Sequence, residues 1–171
     1  AVASTRKTPG NHIIAQANDE KRRLEEKFLR KKGGREPIAT IRKEMQAAME
    51  DGAGIYRDSQ ALERSSEKLL ELQDRFKDIA IQDHSRTFNT ELLSALELSY
   101  MLDVAEAILK SASNRTESRG AHQRTDFPDR DDENFLAHSL VFRNEDGSSR
   151  IEYLPVNITR WPPAERVYGR K

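Results

Sequence analysis

His122, Asp126, Asp129, Asp131 and Asp132 place one imidazole and four carboxylates inside residues 117–132, Glu-Ser-Arg-Gly-Ala-His-Gln-Arg-Thr-Asp-Phe-Pro-Asp-Arg-Asp-Asp, a stretch without hydrophobic period and with the composition of a loop. Four carboxylates and an imidazole are the donors of a divalent-cation site. Arg119, Arg124 and Arg130 are threaded among them, however. A guanidinium satisfies a carboxylate through two parallel hydrogen bonds and needs no metal. The balance favours an ion-pair and turn network that fixes the loop against another surface.

Other chemistries lack their residues. The chain has no cysteine, which excludes disulfides, thiolate zinc sites and cysteine-held iron-sulfur clusters and gives a mild preference for an intracellular compartment. Gly52 and Gly54 open a G-x-G, but Arg57 stands where a dinucleotide fingerprint needs its third glycine, and no strand precedes it. There is no P-loop and no G-x-S-x-G elbow. His12 and His84 read as surface or cap residues, His138 as a strand residue, and Asn157-Ile158-Thr159 is a weak glycosylation match. Lys+Arg 29 against Asp+Glu 29 leaves no basic surplus for nucleic acid or an anionic membrane. No run of apolar residues is long enough for a membrane span, and residues 1–10 lack a signal-peptide core; an opening at Ala1 suggests a piece of a longer protein.

The elements that must position the loop are mainly helical. A first helix is expected over 12–32, with Ile13, Ile14, Ala17, Leu24 and Phe28 on one face, a charged opposite face, and Gly33-Gly34 as its stop. A second opens at Glu36-Pro37, repeats Ile38, Ile41, Met45, Ala48 and Met49, and stops at Gly52-Ala53-Gly54. A third starts from a Ser59 cap and sets Leu62, Leu69, Leu72, Phe76 and Ile79 in near-heptad register. A fourth, 90–114, is apolar around much of its circumference and is the expected centre of an antiparallel bundle of three to four helices. After the loop the period changes to two: 137–142 and 150–153 flank an Asp146-Gly147 turn as a hairpin, and Pro155 limits the second strand. Trp161-Pro162-Pro163 begins an extended tail. The expected organisation is therefore a helical bundle domain over 1–116, then a charged loop, small β-hairpin and Pro-rich tail over 117–171.

Several of these segments together resemble one family. Ile41-Arg42-Lys43-Glu44-Met45 running on to Gly54-Ile55-Tyr56-Arg57, Leu72-Gln73-Asp74-Arg75-Phe76-Lys77, Phe88-Asn89-Thr90-Glu91-Leu92-Leu93, Glu117-Ser118-Arg119-Gly120-Ala121-His122, Arg130-Asp131-Asp132-Glu133-Asn134-Phe135-Leu136 and Pro162-Pro163-Ala164-Glu165-Arg166-Val167-Tyr168-Gly169 are similar, in order, to the carboxy-terminal region of the fumarate reductase and succinate dehydrogenase flavoprotein subunit. L-aspartate oxidase and adenylylsulfate reductase are more distant. The hairpin and tail look more like fumarate reductase, and Asp126-Phe127-Pro128-Asp129-Arg130 more like aerobic succinate dehydrogenase.

The resemblance implies a fragment of an FAD-dependent oxidoreductase that interconverts fumarate and succinate, exchanging electrons with quinone through an iron-sulfur subunit. It implies that the FAD-binding and catalytic residues lie upstream, so that this stretch holds no cofactor, no metal and no catalytic group and is inactive alone. Its expected partners are the flavin-binding and capping domains and the iron-sulfur subunit, at the cytoplasmic face of the cell membrane, with the membrane reached only through anchor subunits. Arg119, His122, Arg124, Asp126, Arg130, Asp131 and Asp132 are the expected contact residues, and the isolated fragment is expected to self-associate. The alternative is an independent helical interaction module whose charged loop binds a metal or a protein.

Overall fold

The structure, a computed structural model, describes residues 10–31 and 33–164; the expected first-helix end at Lys32, the opening residues 1–9 and the Glu165 to Gly169 end of the tail motif lie outside them. The fold is mainly α with a β-hairpin, the expected class. Its helices are α1 (Asn11–Leu24), α2 (Ile38–Ala53), α3 (Ser59–Phe76), α4 (Thr90–Asn114) and the single-turn α5 (Asp132–Phe135). Its strands are β1 (Tyr56–Arg57), β2 (Gln123–Arg124), β3 (Ala137–Arg143) and β4 (Ser149–Pro155). Contacts divide the chain into two compact units, one from the residues up to Met49 with Glu67–Ala105, the other from Glu50–Ser66 with the residues from Glu106 onward.

In the first unit the core is the three-and-four repeat of the sequence: Ile41 and Met45 from α2, Leu69, Leu72 and Phe76 from α3, and Ala95, Leu98, Leu102 and Ala105 from α4 are all buried. A charged network ties α2 to α3. Arg75 donates to Glu44 (2.7 Å) and Glu36 (2.8 Å), and Lys68 reaches Glu44 (2.8 Å). Hydrogen bonds from Arg75, then Lys68, hold the Glu44 carboxyl down at about 2.

Three expectations change here. The first helix ends at Leu24 and continues as one π-turn, Glu25–Leu29, closed by the Arg30 N–H on the Glu25 carbonyl (2.8 Å). Only Phe28 of its apolar residues is buried, edge-on to Phe76 at 6.2 Å, because two isoleucines, an alanine and a leucine make too thin a stripe to hold the whole helix down. The third helix ends at Phe76, since the chain turns so that Ile79 bridges Glu36, with Ala80 N–H on the Glu36 carbonyl at 3.0 Å. Gly34 lies so close to the Ile79 backbone that a side chain has no room. Finally, α4 is buried on one face only: Leu93, Tyr100 and Val104 form an opposite stripe, each more than half exposed.

In the second unit, apolar burial is sparse. Ala61, Leu62, Leu109 and Ala112 are buried together with three polar residues, Ser65, Glu117 and Arg124. Gly52, in the last turn of α2, lets that turn lie against Ser65 and the Ala61 carbonyl of α3; a Cβ there would stand 2.8 Å from that oxygen. The N-cap of α3 is Asp58, whose Oδ1 accepts the Ala61 N–H at 2.8 Å, rather than the expected Ser59. The hairpin pairs antiparallel as the period predicts, Val141 opposite Ile151 and Phe142 opposite Arg150, around Gly147 at φ 84°.

Candidate functional site

The loop 117–132 is built around two fully buried charges of opposite sign. It leaves α4 at Asn114, crosses β2, and ends at the N-terminus of α5. Glu117 is 0% exposed and accepts from Arg115 (2.5 Å), from Arg119 through Nε (2.8 Å) and Nη2 (2.9 Å), and from the Asp131 backbone N–H (2.7 Å). Burial by itself pushes the Glu117 carboxyl up, but Arg119, the Asp131 N–H and Arg115 together bring it below the usual carboxylate range.

Arg124 is 1% exposed and is the positive counterpart. Its fork holds Asp126 through Nε–Oδ1 and Nη2–Oδ2, both 2.7 Å. The remaining guanidinium hydrogens go to Ser59 Oγ (2.8 Å) and to the carbonyls of Ala112 (3.1 Å) and Arg115 (3.3 Å), and the Phe127 ring covers the group at 4.9 Å. Five donors thus find five acceptors, the full capacity of an arginine. Asp126 is held well below the ordinary carboxylate range by Arg124 and by the hydroxyl and N–H of Ser59.

His122 turns inward as well. Arg57 donates to its Nδ1 (3.0 Å), and its Nε2 lies 3.1 Å from the Arg115 carbonyl. A guanidinium only donates, so Nδ1 must accept and Nε2 must carry the proton: a neutral imidazole with both nitrogens committed. Burial is the main cause that lowers its pKa, and the charges of Arg57, Arg124 and Arg115 push the same way. The reciprocal backbone pair Arg119–His122 (2.8 and 3.0 Å) and the parallel β1–β2 pairing, Arg57 beside Arg124, set this position.

Asp131 and Asp132 have structural employment, and Asp129 contributes its backbone carbonyl to the Ser118 N–H (2.9 Å). Asp131 caps α5, accepting from the N–H groups of Glu133 (3.1 Å) and Asn134 (3.0 Å). Asp132 pairs with Arg119 (2.7 Å) and Arg130 (2.9 Å). Among the described residues no three His, Asp or Glu side chains gather as a metal site, and no buried side-chain nitrogen or oxygen lacks a partner. The seven residues singled out from the sequence therefore fall into one network in two clusters: Arg119, Asp131, Asp132 and Arg130 around Glu117, and Asp126 with His122 around Arg124 and its acceptors.

Sequence reasoning did not place Arg115, Glu117, Arg57 and Ser59 among the site residues. Arg115 is the hub, since it also donates to the carbonyls of Phe135 (2.8 Å) and Ala137 (2.6 Å) and so fastens α5 and β3 to the end of α4. A carboxylate flanked at i−2 and i+2 by arginines, as Glu117 is, was the available signal. An open cavity of about 670 Å³ borders the loop, lined by Arg119, Gly120, Pro128, Arg130, Asp132 and Pro163 among others. Its two arginines are already paired with Asp132.

Residues 42–168 match the family described as fumarate reductase flavoprotein C-term. The fumarate reductase flavoprotein subunit of Mycobacterium tuberculosis is 60% identical to the chain over 162 residues, covering 95% of the chain and 28% of that subunit. The succinate dehydrogenase flavoprotein subunit of Rickettsia bellii is 37% identical over 147 residues, covering 82% of the chain and 25% of that subunit. Among solved structures, a mutant quinol fumarate reductase of Escherichia coli superposes with a TM-score of 0.87 at 48% identity, over 98% of this chain and 29% of that one. The chain thus spans little more than a quarter of the relatives it matches.

Proposed function

The chain belongs to the fumarate reductase flavoprotein C-terminal family, and we propose that it serves as a buttress within an FAD-dependent fumarate reductase. On this reading the rest of the subunit binds FAD and exchanges a hydride with the fumarate/succinate pair, and electrons pass to and from quinone through an iron-sulfur subunit at the cytoplasmic face of the membrane. No helix among the described residues is long and apolar enough to cross a membrane; on this reading anchor subunits attach the complex. Higher identity to fumarate reductases than to succinate dehydrogenases favours the former name.

The observation that carries the role is the closure of the Glu117 and Arg124 networks on themselves. A site that turns over substrate must expose groups that gain partners in the transition state. Here the buried groups are satisfied beforehand, which is what a rigid joint requires. Arg119, Arg130 and Asp132, at the open rim, together with His122, Arg124, Asp126 and Asp131 behind them, then present and hold the surface that meets neighbouring domains or subunits. The test is a comparison of the chain with the intact subunit. The chain should neither retain FAD nor reduce fumarate with a reduced viologen dye, whereas the intact subunit should do both. In the intact subunit, Arg130→Ala with Asp132→Ala should lower the yield of assembled, flavin-loaded complex while leaving turnover per flavin unchanged. Fumarate reduction by the chain alone, or a turnover number that collapses while assembly is normal, would overturn the role.

A further inference from the structure

Phe88 is 96% exposed and sits at φ 54°, the one non-glycine among the described residues with a left-handed backbone. For a bulky aromatic residue this conformation is a true outlier, and the exposed ring gives nothing back in burial. Strain of this kind persists only where the surroundings over-determine it. They do so here. The Asn89 side chain donates to the carbonyls of Asp83 (2.6 Å) and Ser85 (3.0 Å) and accepts from Leu92 N–H (2.7 Å), so the residue after Phe88 both closes the loop and caps α4. Asp83 accepts from Ser85 N–H (2.8 Å), Glu91 accepts from the N–H groups of Gln82 and Asp83 (2.8 Å each), and His84 bonds to the Leu29 carbonyl (2.8 Å). The phenyl stands out from a pinned loop.

We propose that Phe88 is an anchor that seats in an apolar socket on the flavin-bearing portion of the same subunit, an inference that rests on the function proposed above. Two observations choose this occupant. Almost three quarters of the length of the Mycobacterium tuberculosis relative lies outside the matched segment, so on that reading most of the subunit's own surface lies beyond this chain. The knob is also small: one ring, with half-exposed Leu93 a turn further along α4. A free protein partner needs about 800 Å² per side to hold on, whereas a covalently joined partner meets the knob at an effective concentration on the order of millimolar and needs far less. An aromatic side chain on a backbone already held in place is the type of residue that dominates such contacts.

The experiment uses the full-length subunit co-expressed with its iron-sulfur partner. A photo-crosslinking benzoylphenylalanine at position 88 should join to a peptide from the upstream portion of the same polypeptide, read by mass spectrometry. Phe88→Asn, which suits a left-handed backbone and so keeps the loop, should speed limited proteolysis between this chain and the upstream portion at least tenfold, and Phe88→Tyr should leave it near wild type. A flavin-loaded, active subunit whose crosslinks run to the iron-sulfur partner, to a second copy or only to solvent refutes the anchor while the proposed function stands. A full-length polypeptide without flavin refutes that function and the anchor with it.

Discussion

Replacing Glu117 by glutamine changes neither the size nor the shape of the side chain, and the structure fixes what it should cost. The carboxylate is fully enclosed and faces only donors: two guanidinium groups and the Asp131 N–H. Glutamine turns one acceptor into an amide donor aimed at other donors, and it removes the negative charge from between Arg115 and Arg119. Deleting one partner of a buried pair costs about 3–5 kcal/mol. Because glutamine keeps one acceptor and all of the packing, about 3 kcal/mol is expected, a large share of the roughly 5–15 kcal/mol that holds a domain folded. In urea unfolding at pH 7, with a slope near 2 kcal/mol per M, the midpoint should fall by about 1.5 M at unchanged slope. Acid gives a second reading. The folded carboxyl titrates below the unfolded value of about 4.3, so its contribution is complete above that pH and is lost as pH falls through the folded pKa. The gap between wild type and Glu117→Gln should therefore be constant from pH 7 to 5 and shrink below about 4. A midpoint shift under about 0.5 M, or a gap that does not change with acid, would show that the loop is held by shape and not by this charge.

Four further outcomes follow from the same geometry. Arg124→Lys keeps the charge but loses the fork to Asp126 and the guanidinium bond to the Ala112 carbonyl, while the Arg115 carbonyl keeps His122; a cost of about 2–3 kcal/mol should lower the thermal midpoint by about 6 °C, and a shift within 1 °C would contradict the network. His122 titrates lower folded than unfolded, so acid binds the unfolded chain first and stability should decline as pH drops below about 6.5, a step that calorimetry should find missing in His122→Asn. Gly52→Ala gains up to about 1 kcal/mol of helix propensity, but the Ala61 carbonyl that meets the new methyl is backbone and cannot rotate away; a net loss of about 1 kcal/mol in chemical denaturation is expected, and a net gain would refute the close approach. In the isolated chain Phe88→Asn should stabilise by about 1 kcal/mol, because strain is relieved and no packing is lost, and a destabilisation would mean that the ring is packed.

The helices were legible because their cores repeat with the helical period, and α4 spans the same residues in sequence and structure, Thr90–Asn114. The hairpin was legible from the change to period two and the Asp146-Gly147 turn. Periodicity does not report where a stripe is too thin, so α1 read as a packed helix although only Phe28 beyond its end is buried. Nor does it see a chain reversal driven by backbone bonds, such as Arg35 and Glu36 N–H on the Asp78 carbonyl (3.0 and 3.2 Å), which ends α3 early. Within the loop the density of charge was visible, but not its pairing. Arg57 and Ser59 lie more than sixty residues before their partners, His122 and Asp126, and only the fold brings them together.

On the proposed reading as a buttress, that pairing also accounts for a loop dense in chemistry-bearing side chains. An active site and a rigid joint draw on the same side chains, and they differ in where the unsatisfied capacity lies. In a site, a carboxylate or imidazole is left short of partners so that substrate completes it. In residues 117–132 the deepest groups, Glu117 and Arg124, are saturated by the chain itself, and the pKa directions agree, with Glu117, Asp126, Asp131 and Asp132 all pulled down and none raised toward neutrality as a general acid would need. His122, the one residue whose range suits proton transfer, is neutral with both nitrogens bonded. To recruit it, an enzyme would first have to break its bond to Arg57 or to the Arg115 carbonyl. The second unit buries so few apolar side chains that these bonds carry its interior, so catalysis through them would compete directly with folding.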